Sequence, residues 1–102
     1  MTKEEANKAF KALEEPNRLK IIKLLINNQE ICACKLLEIV NFGQSTLSHH
    51  LSKLSKCGLL SSRRDCKNII YSCKKKILDE AVFFLNDIYE ECAKIEDKND
   101  EK

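Results

Sequence analysis

Gly43-Gln44-Ser45-Thr46-Leu47-Ser48-His49-His50-Leu51-Ser52-Lys53-Leu54-Ser55-Lys56-Cys57-Gly58 decides the fold. Leu47, Leu51 and Leu54 fall at i, i+4 and i+7, one apolar stripe of a helix. Gln44, Ser45, Thr46, Ser48, His49, Ser52 and Lys53 cover the rest, and none is acidic. An ordinary solvated helix mixes both signs of charge. This one offers hydroxyls, an amide, imidazoles and ammonium groups, which hydrogen-bond phosphates and base edges in a major groove. The candidate contacts to double-stranded DNA are therefore Gln44, Ser45, Thr46, Ser48, His49, His50, Ser52 and Lys53. A polar-faced helix in a small bundle would carry the same stripe, so the neighbouring segments must decide.

Upstream, Glu4 to Leu13 reads as a helix with Ala6, Phe10 and Leu13 on one side. Glu14-Glu15-Pro16 interrupts it, because Pro disfavours helical backbone before it and suits the first turn of the next helix. From Asn17, the positions Leu19, Ile22, Leu25 and Ile26 give a second apolar stripe, ending at Asn27-Asn28. A third helix is expected from about Ile31 to Val40, with Leu36, Leu37 and Val40 inward, and Asn41-Phe42-Gly43 turns into the polar-faced helix. Two short helices joined by such a turn make a helix-turn-helix, here about residues 31–57.

Downstream, Leu59 to Arg64 can be a strand, Asp65-Cys66-Lys67-Asn68 a turn and Ile69 to Cys73 the returning strand. A basic hairpin over about 59–73 that follows a helix-turn-helix describes a winged helix, with Arg63, Arg64 and Lys67 candidate phosphate contacts. A solvent-exposed hairpin without a partner is the plainer alternative. Ile77 to Ile95 is the longest periodic segment: Ile77, Ala81, Phe84, Ile88, Cys92 and Ile95 form a seam, and Leu78, Val82, Leu85 and Tyr89 a second stripe. Two apolar faces exceed what a small monomer needs. The helix over about 76–95 is expected to serve dimerisation through Phe10, Ile77, Ala81, Phe84 and Ile88, unless both faces are internal. Glu96 to Lys102 reads as a charged, frayed tail. The fold expected is mainly α with a small β-hairpin, a homodimeric winged helix-turn-helix in one domain over residues 1–102.

The composition agrees. The chain has 102 residues, 43% of them hydrophobic, enough for one modest core. A net charge of +2 does not by itself mark a nucleic-acid binder, but its distribution is uneven. Eight bases face one acid between Lys53 and Lys76, whereas five acids and no base lie between Asp79 and Glu91. That polarity sets a basic stripe in front of an acidic element. No apolar run approaches the roughly 20 residues that span a bilayer, and Met1-Thr2-Lys3-Glu4-Glu5 is not a signal peptide. A cytoplasmic protein with no membrane partner is expected. Its six cysteines then read as thiols for metal or redox chemistry rather than as disulfides.

Cys32-Ala33-Cys34 opens the helix that supports the polar-faced one. Successive helical residues turn by about 100°, so i and i+2 cannot both reach one ion in an intact helix. If both thiolates share a centre, the first turn must distort next to the DNA-reading element. Thiolates select soft centres. The chain lacks Cys-x-x-Cys, a Gly-rich cofactor loop and any supported Ser-His-Asp or Cys-His spacing, so neither an enzyme nor an organic cofactor is expected.

Glu30-Ile31-Cys32-Ala33-Cys34-Lys35-Leu36-Leu37, followed by Gln44 to Leu51, resembles the ArsR/SmtB family of metal-responsive winged-helix repressors. Within that family it is most similar to the arsenical resistance operon repressors, whose metalloid motif is Glu-Leu-Cys-Val/Ala-Cys-Asp-Leu. The resemblance runs from about Phe10 to Leu85 and includes Pro16-Asn17-Arg18-Leu19. It implies a homodimer that represses its own operon and leaves operator DNA when trivalent arsenic or antimony, as arsenite or antimonite, binds the Cys-x-Cys pair. Cys32 and Cys34 would be the ligands and the Gln44 to Lys53 face would meet DNA. Two departures stand out: Lys35 replaces the usual acid, and Leu37 stands where some members have a third cysteine. Either the site has two protein ligands, or a third thiol comes from elsewhere, with Cys92 or Cys57 the foremost candidates and Cys66 and Cys73 behind them. Residues 1–31 hold no cysteine for the cadmium-type site, and Asp79 to Ile95 holds no His for the zinc-type site. Zinc ligation by His49 and His50 is less expected than groove-facing or packing roles. The same fold with a thiol-based redox or persulfide sensor, or with a purely structural metal, remains the alternative.

Overall fold

A computed structural model describes the backbone of residues 2–99 and the side chains of residues 2–94. Helix α1 (Lys3–Leu13) starts at a capping box, in which the Glu5 amide donates to Thr2 Oγ1 and the Thr2 amide donates to Glu5 Oε1. Pro16 occupies the first turn of α2 (Pro16–Asn28), and Glu15 caps it by accepting from the Asn17 amide at 2.8 Å. A two-residue strand β1 (Ile31–Cys32) follows, then α3 (Ala33–Ile39) and α4 (Gln44–Lys56). Strands β2 (Leu60–Asp65) and β3 (Asn68–Cys73) form the hairpin, and α5 (Lys75–Asn99) closes the chain.

The sheet has three antiparallel strands in the order β1-β3-β2. The expected two-stranded hairpin thus gains a third strand, and the helix expected from about residue 31 begins at Ala33. Two residues carry no periodicity, and β1 exists only through pairing with β3, some forty residues away: Ile31 lies opposite Tyr71 and Cys32 opposite Ile70.

The core gathers Ile21, Leu25, Leu36, Leu54 and Leu59, all fully buried. Ala6, Ala9 and Ala12 present a small-residue face that lets α1 lie close against its neighbours. Leu47, Leu51 and Leu54 are buried as expected. Helix α4 ends in a Schellman arrangement: Gly58, at φ +89°, donates to Ser55 O, and Leu59 donates to Leu54 O at 3.1 Å. The positive φ suits glycine and turns the chain directly into the wing.

Along α5 the two stripes separate. Ile77 packs on the core, Ala81 is buried, and Phe84 meets the Phe10 ring at 6.2 Å, so these four residues are used within the chain. Of the set expected to serve dimerisation, Ala81 is buried, Phe10, Ile77 and Phe84 are half-buried, and only Ile88 is exposed. The second stripe is the open one, with Val82, Leu85 and Tyr89 more than half exposed. The helix also runs to Asn99, beyond the expected end at 95. The Ile95 side chain and the tail beyond Asn99 lie outside the described residues. No described helix is long and apolar enough to cross a membrane.

Candidate DNA interface and dithiol site

The outer face of α4 carries Gln44, Ser45, Thr46, Ser48, His49, Ser52 and Lys53, all exposed. Ser45, His49, Ser52 and Lys56 stand at i, i+4, i+7 and i+11, so they form one line along the centre of that face. Lys56 was absent from the sequence-derived set, although its spacing from Ser45 and Ser52 was readable.

His50 departs from expectation, being only 6% exposed. Its Nδ1 accepts from Arg18 Nε at 3.0 Å, and its ring meets Phe42 edge-on with centroids 5.5 Å apart. Acceptance at Nδ1 places the imidazole proton on Nε2. Burial, with Arg18 beside it, holds His50 below the usual imidazole range. Arg18 also donates to Ala12 O at 3.3 Å, so this pair joins α1, α2 and α4 rather than facing DNA. His50 completes the buried set Leu47, His50, Leu51, Leu54, an i, i+3, i+4, i+7 pattern that the sequence displayed.

On the wing, Arg64 and Lys67 are exposed. A two-residue turn, Cys66-Lys67, joins the strands, with Cys66 at φ 58°. Arg63 is different: its Nη2 and Nε donate to the two carboxylate oxygens of Glu30 at 2.8 and 3.3 Å. The guanidinium holds the Glu30 carboxyl below its usual range.

The Cys-x-Cys pair resolves the helical contradiction. Cys32 is not in the helix; it ends β1 and serves as N-cap of α3 at φ −76°, ψ 155°. A cap side chain folds back over the first turn, so Cys32 Sγ accepts from the Lys35 amide at 3.3 Å and lies 2.6 Å from Cys34 Sγ. Two thiols two residues apart meet without unwinding α3. The hydrogen bond from Cys34 and the Lys35 amide lower the Cys32 pKa, while the same thiol contact raises that of Cys34.

Among the described residues no third His, Cys, Asp or Glu joins the pair in a metal-binding group. Cys57 instead donates to Leu54 O at 3.2 Å at the end of α4, and Cys92 is exposed on α5. Within the chain neither is brought to Cys32 and Cys34, so of the two expected arrangements the described residues display the one with two protein ligands. Two soft donors fit a thiophilic ion and fall short of the four ligands a structural zinc takes.

A helix-turn-helix with an exposed, acid-free helix face, a three-stranded wing and an adjacent dithiol defines a winged-helix regulator. The match to the bacterial regulatory protein arsR family covers residues 15–62. Similarity extends further. The chain is 39% identical over 86 residues to an arsenical resistance operon repressor of Staphylococcus aureus, covering 84% of this chain and 82% of that one. It is 41% identical over 71 residues to a cadmium resistance transcriptional regulatory protein of Listeria innocua, covering 69% of this chain and 60% of that one. The chain thus spans about three-fifths of the length of that cadmium regulator. Among solved structures, an ArsR-like transcriptional regulator from Rhodococcus sp. RHA1 superposes with a TM-score of 0.77 at 25% identity over 91% of both chains. The chain belongs to the ArsR family.

Proposed function

We propose that the chain is a metalloid-responsive repressor that binds operator DNA as a homodimer and leaves it when trivalent arsenic or antimony binds Cys32 and Cys34. The observation that carries this is the 2.6 Å approach of the two thiols across the β1–α3 junction, beside the helix pair that presents the exposed α4 face. The repressor named for arsenical resistance in Staphylococcus aureus supports the same chemistry. For DNA, the support is the Ser45, His49, Ser52, Lys56 line with Arg64 and Lys67 on the wing, a layout suited to base edges flanked by phosphates. For the dimer, it is the exposed Val82, Leu85 and Tyr89 stripe of α5.

Two thiols in contact also suit oxidation, so a redox or persulfide sensor is the second reading. Fluorescence anisotropy of labelled promoter DNA separates the two. Titration with arsenite, antimonite, cadmium, zinc and peroxide is expected to release DNA with arsenite or antimonite at low stoichiometry, and release is expected to be lost in Cys34→Ser. Release by oxidant alone would transfer the pair to redox sensing, and release by neither would remove the sensing role.

A further inference from the structure

The sheet places the dithiol and the wing in one row. Cys32 lies opposite Ile70 on β3, and Ile70 lies opposite Arg63 on β2. Directly opposed residues of antiparallel strands project from the same face, as do residues two apart on one strand. Cys32, Ile70 and Arg63 therefore share a face, and Glu30 stands immediately before β1. The Arg63 side chain, on the strand beyond β3, reaches Glu30, two residues before Cys32, and closes a bidentate pair at 2.8 and 3.3 Å. A cation read from sequence as a phosphate contact is thus engaged by the residue that leads into the strand carrying the first thiol.

We infer that the Glu30–Arg63 pair couples the dithiol to the wing, and that Arg63 is a positioning residue rather than a DNA contact. The inference rests on the sensing role proposed for Cys32 and Cys34. With the thiols free, the pair ties β2 to the segment entering β1 and fixes the hairpin beside α4. An ion held by both sulfurs, each at about 2.3 Å, fixes their separation and direction, which the free thiols do not share. Cys34 is held in the α3 helix and Cys32 in the sheet, so that adjustment falls on the β1–α3 junction. Displacement of Cys32 carries Glu30 with it and loosens the hold on Arg63. By linkage, an interaction present in one state and lost in the other supplies coupling equal to its strength.

Both side chains are about half exposed, so the effect is modest. An exposed pair of good bidentate geometry is worth a two- to fivefold change in an equilibrium. The experiment measures operator dissociation constants by anisotropy, with and without arsenite, for the wild type, Glu30→Gln and the swap Glu30→Arg/Arg63→Glu. Arsenite binding is followed separately by calorimetry. Glu30→Gln is expected to weaken arsenite-free operator binding two- to fivefold. Its arsenite-bound operator affinity and salt slope stay unchanged, so the release ratio shrinks by the same factor, and arsenite binds up to that factor more tightly because it no longer has to loosen the pair. The swap restores the wild-type ratio.

A phosphate-binding Arg63 predicts the opposite sign: freeing it from Glu30 would tighten operator binding and steepen the salt dependence by about one. That result, or an unchanged release ratio in Glu30→Gln, would overturn the inference alone. A wild type that arsenite does not release would overturn the sensing role and this inference with it.

Discussion

Truncating His50 tests whether the α4 surface has been divided correctly between groove and core. His50→Ala removes the acceptor of the Arg18 Nε bond and leaves a void against Phe42. Loss of a hydrogen bond to a charged donor costs about 1.5–3 kcal/mol, and the cavity adds to it, giving about 2–4 kcal/mol. The lower end is favoured because Arg18 keeps Ala12 O. Against a total stability of about 5–15 kcal/mol for a domain of this length, that is a large fraction. At about 4–8 °C per kcal/mol, the melting temperature falls by roughly 8–32 °C. His50→Asn, whose Oδ1 stands near the position of Nδ1, is expected to recover part of the loss. Urea unfolding followed by circular dichroism, at fixed protomer concentration, reads both. The pH dependence has a definite sign. The unfolded imidazole titrates at about 6.5 and the folded one below that, so the unfolded state binds more protons in between. The stability contributed by neutral His50 is fully present above about pH 6.5 and is lost as pH falls through the folded value, at up to about 1.4 kcal/mol per pH unit. Wild-type stability minus that of His50→Asn isolates this contribution. A His50→Ala protein that unfolds at the wild-type midpoint yet loses operator affinity would put the imidazole in the DNA groove and refute the assignment.

Lys53→Ala and Arg64→Ala are each expected to weaken binding to all DNA sequences and to lower the salt slope by about one; an unchanged slope would remove that residue from the phosphate contacts. Leu85→Glu, at the centre of the open α5 stripe, is expected to shift sedimentation from dimer towards monomer, and an unaltered dimer would place the subunit contact elsewhere. Cys32→Ser removes a thiol ligand but installs a stronger cap for α3. Thermal unfolding is therefore expected to show stability equal to or about 0.5–1 kcal/mol above wild type, with operator affinity retained and arsenite release abolished. Loss of metal-free DNA binding in that variant would count against a pure sensing role.

The parts of the fold legible from sequence were those that announce themselves through local period. Leu47, Leu51 and Leu54 marked α4, Glu15-Pro16 marked the α1–α2 break, and Cys66-Lys67 marked the wing turn. What the chain concealed was set by distant partners. Nothing local in Ile31-Cys32 shows that β3 will pair with it, and nothing in α5 shows which of two similar stripes the core takes. Phe10, reaching Phe84 at 6.2 Å, decides that choice. His49 and His50 look equivalent as a dipeptide, but the 100° step between them sends one to solvent and the other to Arg18. The decisive signal, His50 filling the i+3 position between Leu47 and Leu54, was overridden by its residue type.

The dithiol shows how a short strand changes the chemistry available to a motif. In a continuous helix, Cys32 and Cys34 would diverge, and binding one ion would cost the first turn. By ending a strand at Cys32 and starting the helix at Ala33, the chain gives the first thiol an extended backbone and the second a helical one, and the two sulfurs converge. The same strand is hydrogen-bonded into the wing sheet, while α3 leads through Asn41-Phe42-Gly43 to α4. The junction that bears the thiols therefore touches both elements that would hold DNA, the wing through β1 and the polar-faced helix through α3. A change confined to three residues can reach both without any long chain of intermediates, because the site lies where strand and helix part.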